Sequence, residues 1–134
     1  MDDAIRYLNS DLDLVSPHDL TALAAALEAR GLFSLHETHA DDGLWHASFE
    51  TDEPHEEPEP NVASMMAVIE SLAEPLRAAW AGCTRREFNI GYACGATPRT
   101  VSHELSSELL ARIAAAGASL RVTLYAAESP SKPD

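Results

Sequence analysis

Positive charge is what this chain most lacks. It carries 9 Lys and Arg against 22 Asp and Glu, for a net charge of −13. Nucleic-acid binding needs clustered cations on the phosphates, so this balance excludes nucleic acid as a partner. It equally excludes attraction to anionic membrane surfaces. Long apolar runs are missing too: none approaches the ~18 residues of a membrane span. Met1-Asp2-Asp3 is acidic with no apolar run behind it, so no signal peptide is expected, and the expected location is cytoplasmic. Cysteine is scarce, with only Cys83 and Cys94. A cytosolic chain keeps such thiols reduced, and a strand between them would hold them too far apart to bridge. Two thiols alone also make no metal site.

What is present builds a core. Hydrophobic residues make up 46% of 134, enough for one domain and too many for a disordered chain. The expectation is a single α+β domain over residues 1–128, followed by a flexible Pro/Ser tail over 129–134.

Alternation marks the strands. Leu8, Leu12 and Leu14 oppose Asn9, Asp11 and Asp13 along a first strand. Ser16-Pro17 then reads as the start of a helix with Leu20, Leu23, Ala24 and Leu27 inward, stopped by Arg30-Gly31. Phe33 and Leu35 point one way in the next strand, and Trp45, Ala47 and Phe49 repeat the pattern in another. For the apolar sets to share a face, Leu35 must oppose Phe49. That register leaves a three-residue loop, Asp41 to Gly43, ending on the glycine such loops need. Glu50 to Pro60 reads as an exposed, extended acidic loop. A long helix is expected from an Asn61 cap to Trp80, kinked or broken near Ala73–Glu74 by Pro75. Phe88, Ile90 and Tyr92 mark a fourth strand. Ser106 caps a third helix whose Leu109, Leu110 and Ile113 face inward, and Leu120, Val122 and Leu124 mark the last strand.

The order β-α-β-β-α-β-α-β predicts a two-layer α+β sandwich. A mostly antiparallel five-stranded sheet would carry three helices on one face and leave the other open. The sequence does not set the strand order.

No segment presents a catalytic set. Asn9-x-Asp11-x-Asp13 opens like a calcium loop, but Leu14 and Leu20 stand where that loop needs glycine and the bidentate glutamate. His103-Glu104 has no second histidine four residues on. Gly91 and Gly95 form no phosphate-cradling loop, and no cofactor is expected. Cys83 and Cys94 have no histidine nearby in sequence to activate them. Met65-Met66 lies on an apolar stripe and reads as core filling. In the hairpin register, Thr38 opposes His46, making His36 and His46 diagonal neighbours about 7–8 Å apart on the open face. His39 points to the other face, so a metal or shared proton there would need a ligand from elsewhere, such as Asp11, Asp13 or Glu50.

The remaining feature is a negative surface. Candidate partner-binding residues are Asp11, Asp13, His36, His46 and Glu50 on the open face, with Asp52, Glu53, Glu56, Glu57 and Glu59 in the loop. Such a surface steers a basic partner.

Three stretches carry a resemblance: Phe88-Asn89-Ile90-Gly91-Tyr92, Leu105 to Ala114 (LSSELLARIA), and Gly117 to Tyr125 (GASLRVTLY). Together they resemble a family of small bacterial domains of unknown function associated with the immunity proteins of toxin systems. The similarity covers the last third of the chain. It rests on helix-cap and packing signatures, so it implies a fold more than an activity, and it lends no catalytic residues.

The resulting expectation is a non-catalytic protein-binding protein, an immunity-type inhibitor of a basic toxin. The alternatives are a structural or regulatory homo-oligomeric interaction module, such as a homodimer through the open face, and an enzyme using the His36/His46 face.

Overall fold

The computed structural model describes residues 4–126, and the tail expected over 129–134 lies outside them. The chain runs β1 (Arg6–Ser16), α1 (Thr21–Ala29), β2 (Leu32–His39), β3 (Trp45–Thr51), α2 (Pro58–Glu70), α3 (Leu76–Ala81), β4 (Arg85–Ala93), α4 (Ser107–Ala115) and β5 (Ser119–Tyr125). The five strands form one sheet in the order β2-β3-β1-β4-β5. All neighbours are antiparallel except β4 and β5, which are parallel. This is the expected α+β sandwich with one helix more. Among the described residues no helix is long and apolar enough to cross a membrane.

The extra helix comes from Pro75. A proline inside a helix removes a backbone donor and crowds the preceding turn. Here α2 ends at Glu70 and α3 begins at Leu76, so of the expected kink or break it is the break that occurs.

One core joins the layers. Leu12, Leu14, Ala47, Phe49 and Phe88 project from the sheet against Leu23, Leu27, Val62, Met65, Met66, Ile69, Trp80, Leu109 and Ile113 from the helices. Met65 and Met66 are fully buried core residues. Strand β5 contributes no buried residue to this core.

Two hinges of the architecture lie in polar residues. Asn61 does not cap a helix, because α2 already begins at Pro58. Instead it is fully buried beneath β1. Its Oδ1 accepts from the Ser10 backbone N–H at 3.0 Å and from the Tyr7 hydroxyl at 2.9 Å, while its Nδ2 donates to Thr51 Oγ1 at 2.8 Å. Arg86 donates to the carbonyls of Cys83, Trp80 and Ala81 and, through Nε, to Gly117 O at 3.0 Å. It thereby satisfies the open carbonyls at the end of α3 and ties them to the end of α4.

Several sequence expectations are corrected. Ser16 is the buried last residue of β1, and its Oγ accepts from His18 N; α1 starts later, where Asp19 Oδ1 accepts from Thr21 N at 2.7 Å. Ser106 does cap α4, accepting from Leu109 N at 3.1 Å, but Leu110 is exposed rather than inward. The β2–β3 hairpin has the expected loop: Ala40 N donates to Leu44 O at 2.9 Å, and Gly43 sits at φ 83°. Thr38 opposes His46 as expected. The register then breaks between Ser34 and His36, so Ser34, not Leu35, opposes Phe49, and Phe33 opposes Glu50. One inserted residue reverses the parity of a strand. Leu32 therefore enters the core, while Phe33 and Leu35 are exposed. A second bulge between Tyr7 and Asn9 exposes Leu8 in the same way. On β5, an edge strand, Leu120, Val122 and Leu124 are exposed as well.

Candidate partner-binding face

The open face of the sheet is built on its central strand. Leu12 and Leu14 of β1 point into the core, so the alternating Asn9, Asp11 and Asp13 point away from it. The pairing of Leu12 with Phe49 sets Glu50 of β3 beside Asp11, and Asp13 is paired with Ser48. Three carboxylates therefore converge on neighbouring strands.

Their hydrogen bonds order them. Asn9 Nδ2 donates to Glu50 Oε2 at 2.7 Å and to Asp11 Oδ1 at 3.3 Å. Ser48 Oγ donates to Asp13 Oδ1 at 2.6 Å. Among the described residues, no Lys or Arg forms a salt bridge with Asp11, Asp13 or Glu50. The carboxyl of Asp11 consequently sits at about 6, pushed up first by its burial and then by the charges of Asp13 and Glu50. Glu87, on the same face, differs: its Oε1 accepts from Arg121 Nε at 2.7 Å, so its charge is already answered.

The histidines lie farther out. His36 is paired with Ser48, and His46 with Thr38, which makes them diagonal neighbours on this face. His46 Nε2 lies 3.2 Å from Asp42 Oδ2. His39 lies on the other side and stacks on Trp45 with ring centroids 4.6 Å apart. Among the described residues, no group of three or more His, Cys, Asp or Glu is arranged to hold a metal ion.

The acidic loop does not join this cluster. Asp52 and Glu53 lie past the end of β3, in a hollow shared with Arg30, Gly31, Leu32, Ser64 and Val68. Glu56 is exposed and Glu57 flanks the start of α2. Glu59 is in the first turn of α2, and its Oε1 accepts from the Ser106 backbone N–H, which joins α2 to the start of α4. The ten candidate residues thus divide. Asp11, Asp13, Glu50, His36 and His46 share the open face, Asp52, Glu53 and Glu59 border the helical layer, and Glu56 and Glu57 are exposed just before α2.

The sequence reading missed an apolar rim. Phe33 and Leu35 stand exposed at the β2 side. At the other side, Leu8 and Tyr125 border a hollow with Asn9, Asp11, Asn89 and Gly91. The Tyr125 ring lies over Gly91, where a Cβ would meet Tyr125 Cε2 at 3.4 Å, an ordinary contact distance. The bulges hid this rim, since both reverse the side to which an alternating pattern assigns Leu8 and Phe33. Exposed aromatic and aliphatic groups thus flank the acidic centre of the open face.

Cys83 is buried, and burial pushes its thiol up. Tyr7 is likewise pushed up to about 12 by burial. The Tyr92 hydroxyl pairs with His103 Nδ1 at 2.9 Å, beside a groove lined by Ile5, Cys94, Val101, Val122 and Leu124.

Comparison of the chain with protein-family models, with curated proteins and with solved structures yields no match.

Proposed function

We propose that this chain is a non-catalytic binding protein that receives a basic protein partner on its open sheet face, in the manner of an immunity-type inhibitor of a basic toxin. The observation that carries the reading is the group Asp11, Asp13 and Glu50: three neighbouring carboxylates, hydrogen-bonded into place, none of them in a salt bridge with a Lys or Arg among the described residues. Holding these groups together has a cost: the Asp11 pKa is raised first by burial and then by the neighbouring charges of Asp13 and Glu50. A Lys or Arg from a partner would relieve it. Charge of this sign also accelerates encounter with a cationic surface. Phe33, Leu35, Leu8 and Tyr125 supply apolar area around that centre.

The test is co-purification from the native host with the wild type and with D11N/D13N/E50Q. The expected result is a basic protein, encoded beside this chain's gene, that the wild type retains at low salt and loses at high salt. The triple variant should fold and fail to retain it. Equal capture by both proteins would refute the assignment to this face, and a partner that inhibition assays show to lack toxicity would refute the immunity reading.

A further inference from the structure

The two edges of the sheet have opposite chemistry. Strand β2 is guarded: it carries a bulge between Ser34 and His36, and its outer half is His36, Glu37, Thr38 and His39. Sheet edges blunted by bulges and polar or charged residues resist further pairing. Strand β5 (SLRVTLY) has neither device. It has no bulge, no proline and no carboxylate, in a chain with 22 acidic residues. Its one charge, Arg121, is paired to Glu87. Leu120, Val122, Leu124 and Tyr125 are 37%, 61%, 65% and 54% exposed, half of the large exposed hydrophobics of the described chain.

The backbone is aligned with these side chains. The carbonyl of Tyr125 accepts from Cys94 N at 2.9 Å, so Tyr125 turns its peptide groups toward the β4 side. Along a strand the N–H and C=O of one residue point to the same edge, and successive residues alternate. Thr123 and Arg121 therefore also face β4. Leu120, Val122 and Leu124 direct theirs to the outer edge, where no described strand pairs with them.

We infer that β5 pairs antiparallel with the β5 of a second copy, about a two-fold axis at Val122, joining the two sheets into one. The segment Leu120-x-Val122-x-Leu124 reads the same in both directions, which is what an isologous contact requires. Val122 meets its own counterpart, and Leu120 meets the partner copy's Leu124. The outward N–H and C=O groups of all three residues are then satisfied in hydrogen-bonded pairs. Arg121 falls opposite the partner copy's Thr123, so the two guanidinium groups are not directly opposed. Two chains of net charge −13 repel, and this carboxylate-free edge is where they approach at least electrostatic cost. The two-fold axis stands perpendicular to the sheet, so both helical layers fall on one side and both carboxylate clusters on the other.

Sedimentation equilibrium from low to high micromolar protein tests this, at low and moderate salt, with V122K and F33K. The wild type should reach twice the chain mass, more readily at moderate salt, where repulsion is screened. V122K places a cation at the two-fold contact and should stay monomeric, while F33K, on the other edge, should dimerise as the wild type does. Far-UV circular dichroism and thermal melting establish that V122K is folded. Amide exchange provides a second readout that needs no variant: protection at Leu120, Val122 and Leu124 should rise with protein concentration. A wild type that stays monomeric throughout overturns the inference, as does a dimer that V122K leaves intact or that F33K abolishes.

Discussion

Asn61 Oδ1 accepts the backbone N–H of Ser10 at 3.0 Å, so a fully buried side-chain amide bridges α2 and the central strand. The same oxygen takes the Tyr7 hydroxyl, and the amide nitrogen reaches Thr51. Removing this amide strands buried donors in the core. Asn61→Ala is expected to cost about 2–3 kcal/mol, read by urea denaturation. Asn61→Asp keeps the acceptor but buries a charge, and it should be no better tolerated at neutral pH.

This residue also shows where the sequence stops being informative. Asparagine after prolines and before an apolar stripe looks like a helix cap, and only the tertiary fold reveals that α2 starts at Pro58 and that Asn61 faces β1. The alternating strands, the Asp41-Asp42-Gly43 turn and the Ser106 cap were legible because each depends on neighbours in sequence. Of the site, Asp11, Asp13 and Glu50 were legible as the outward members of their strands. The two bulges were not, since an inserted residue leaves no local signature, and Leu8, Phe33 and Leu35 were assigned inward as a result. The placement of the acidic loop against the helical layer likewise depends on contacts distant in sequence.

Arg86 ties together the ends of α3 and α4 through four carbonyls. Lysine cannot reproduce a planar fork of donors. Arg86→Met should cost about 2 kcal/mol and Arg86→Lys only somewhat less, measured by thermal and chemical denaturation.

The raised pKa of Asp11 gives stability a definite pH dependence. A carboxyl whose folded pKa lies near 6, above its unfolded value near 4, holds more protons in the folded state between those limits. Its contribution therefore favours folding at low pH and is lost as pH rises toward 6 and beyond. Asp11→Asn should flatten that part of the profile and stabilise the protein at pH 7 by about 1 kcal/mol, a gain limited by the carboxyl's access to solvent. The same variant should weaken capture of a basic partner. Stability rising while binding falls is the signature of a charge kept for recognition.

Glu59 is expected to behave apart from the loop acids before it. Its Oε1 accepts the Ser106 backbone N–H, so Glu59→Ala should cost about 1 kcal/mol. The triple variant E53Q/E56Q/E57Q removes only exposed charges and should melt within about 0.5 kcal/mol of the wild type.

The most direct test of the open-face assignment is an amide-exchange footprint of the chain bound to its co-purified basic partner. The account predicts new protection in residues 9–13, 33–36 and 46–50, and none in loop 52–57 or helices α1 to α4. Protection confined to the acidic loop and the helical layer, with residues 9–13 unchanged, would contradict it.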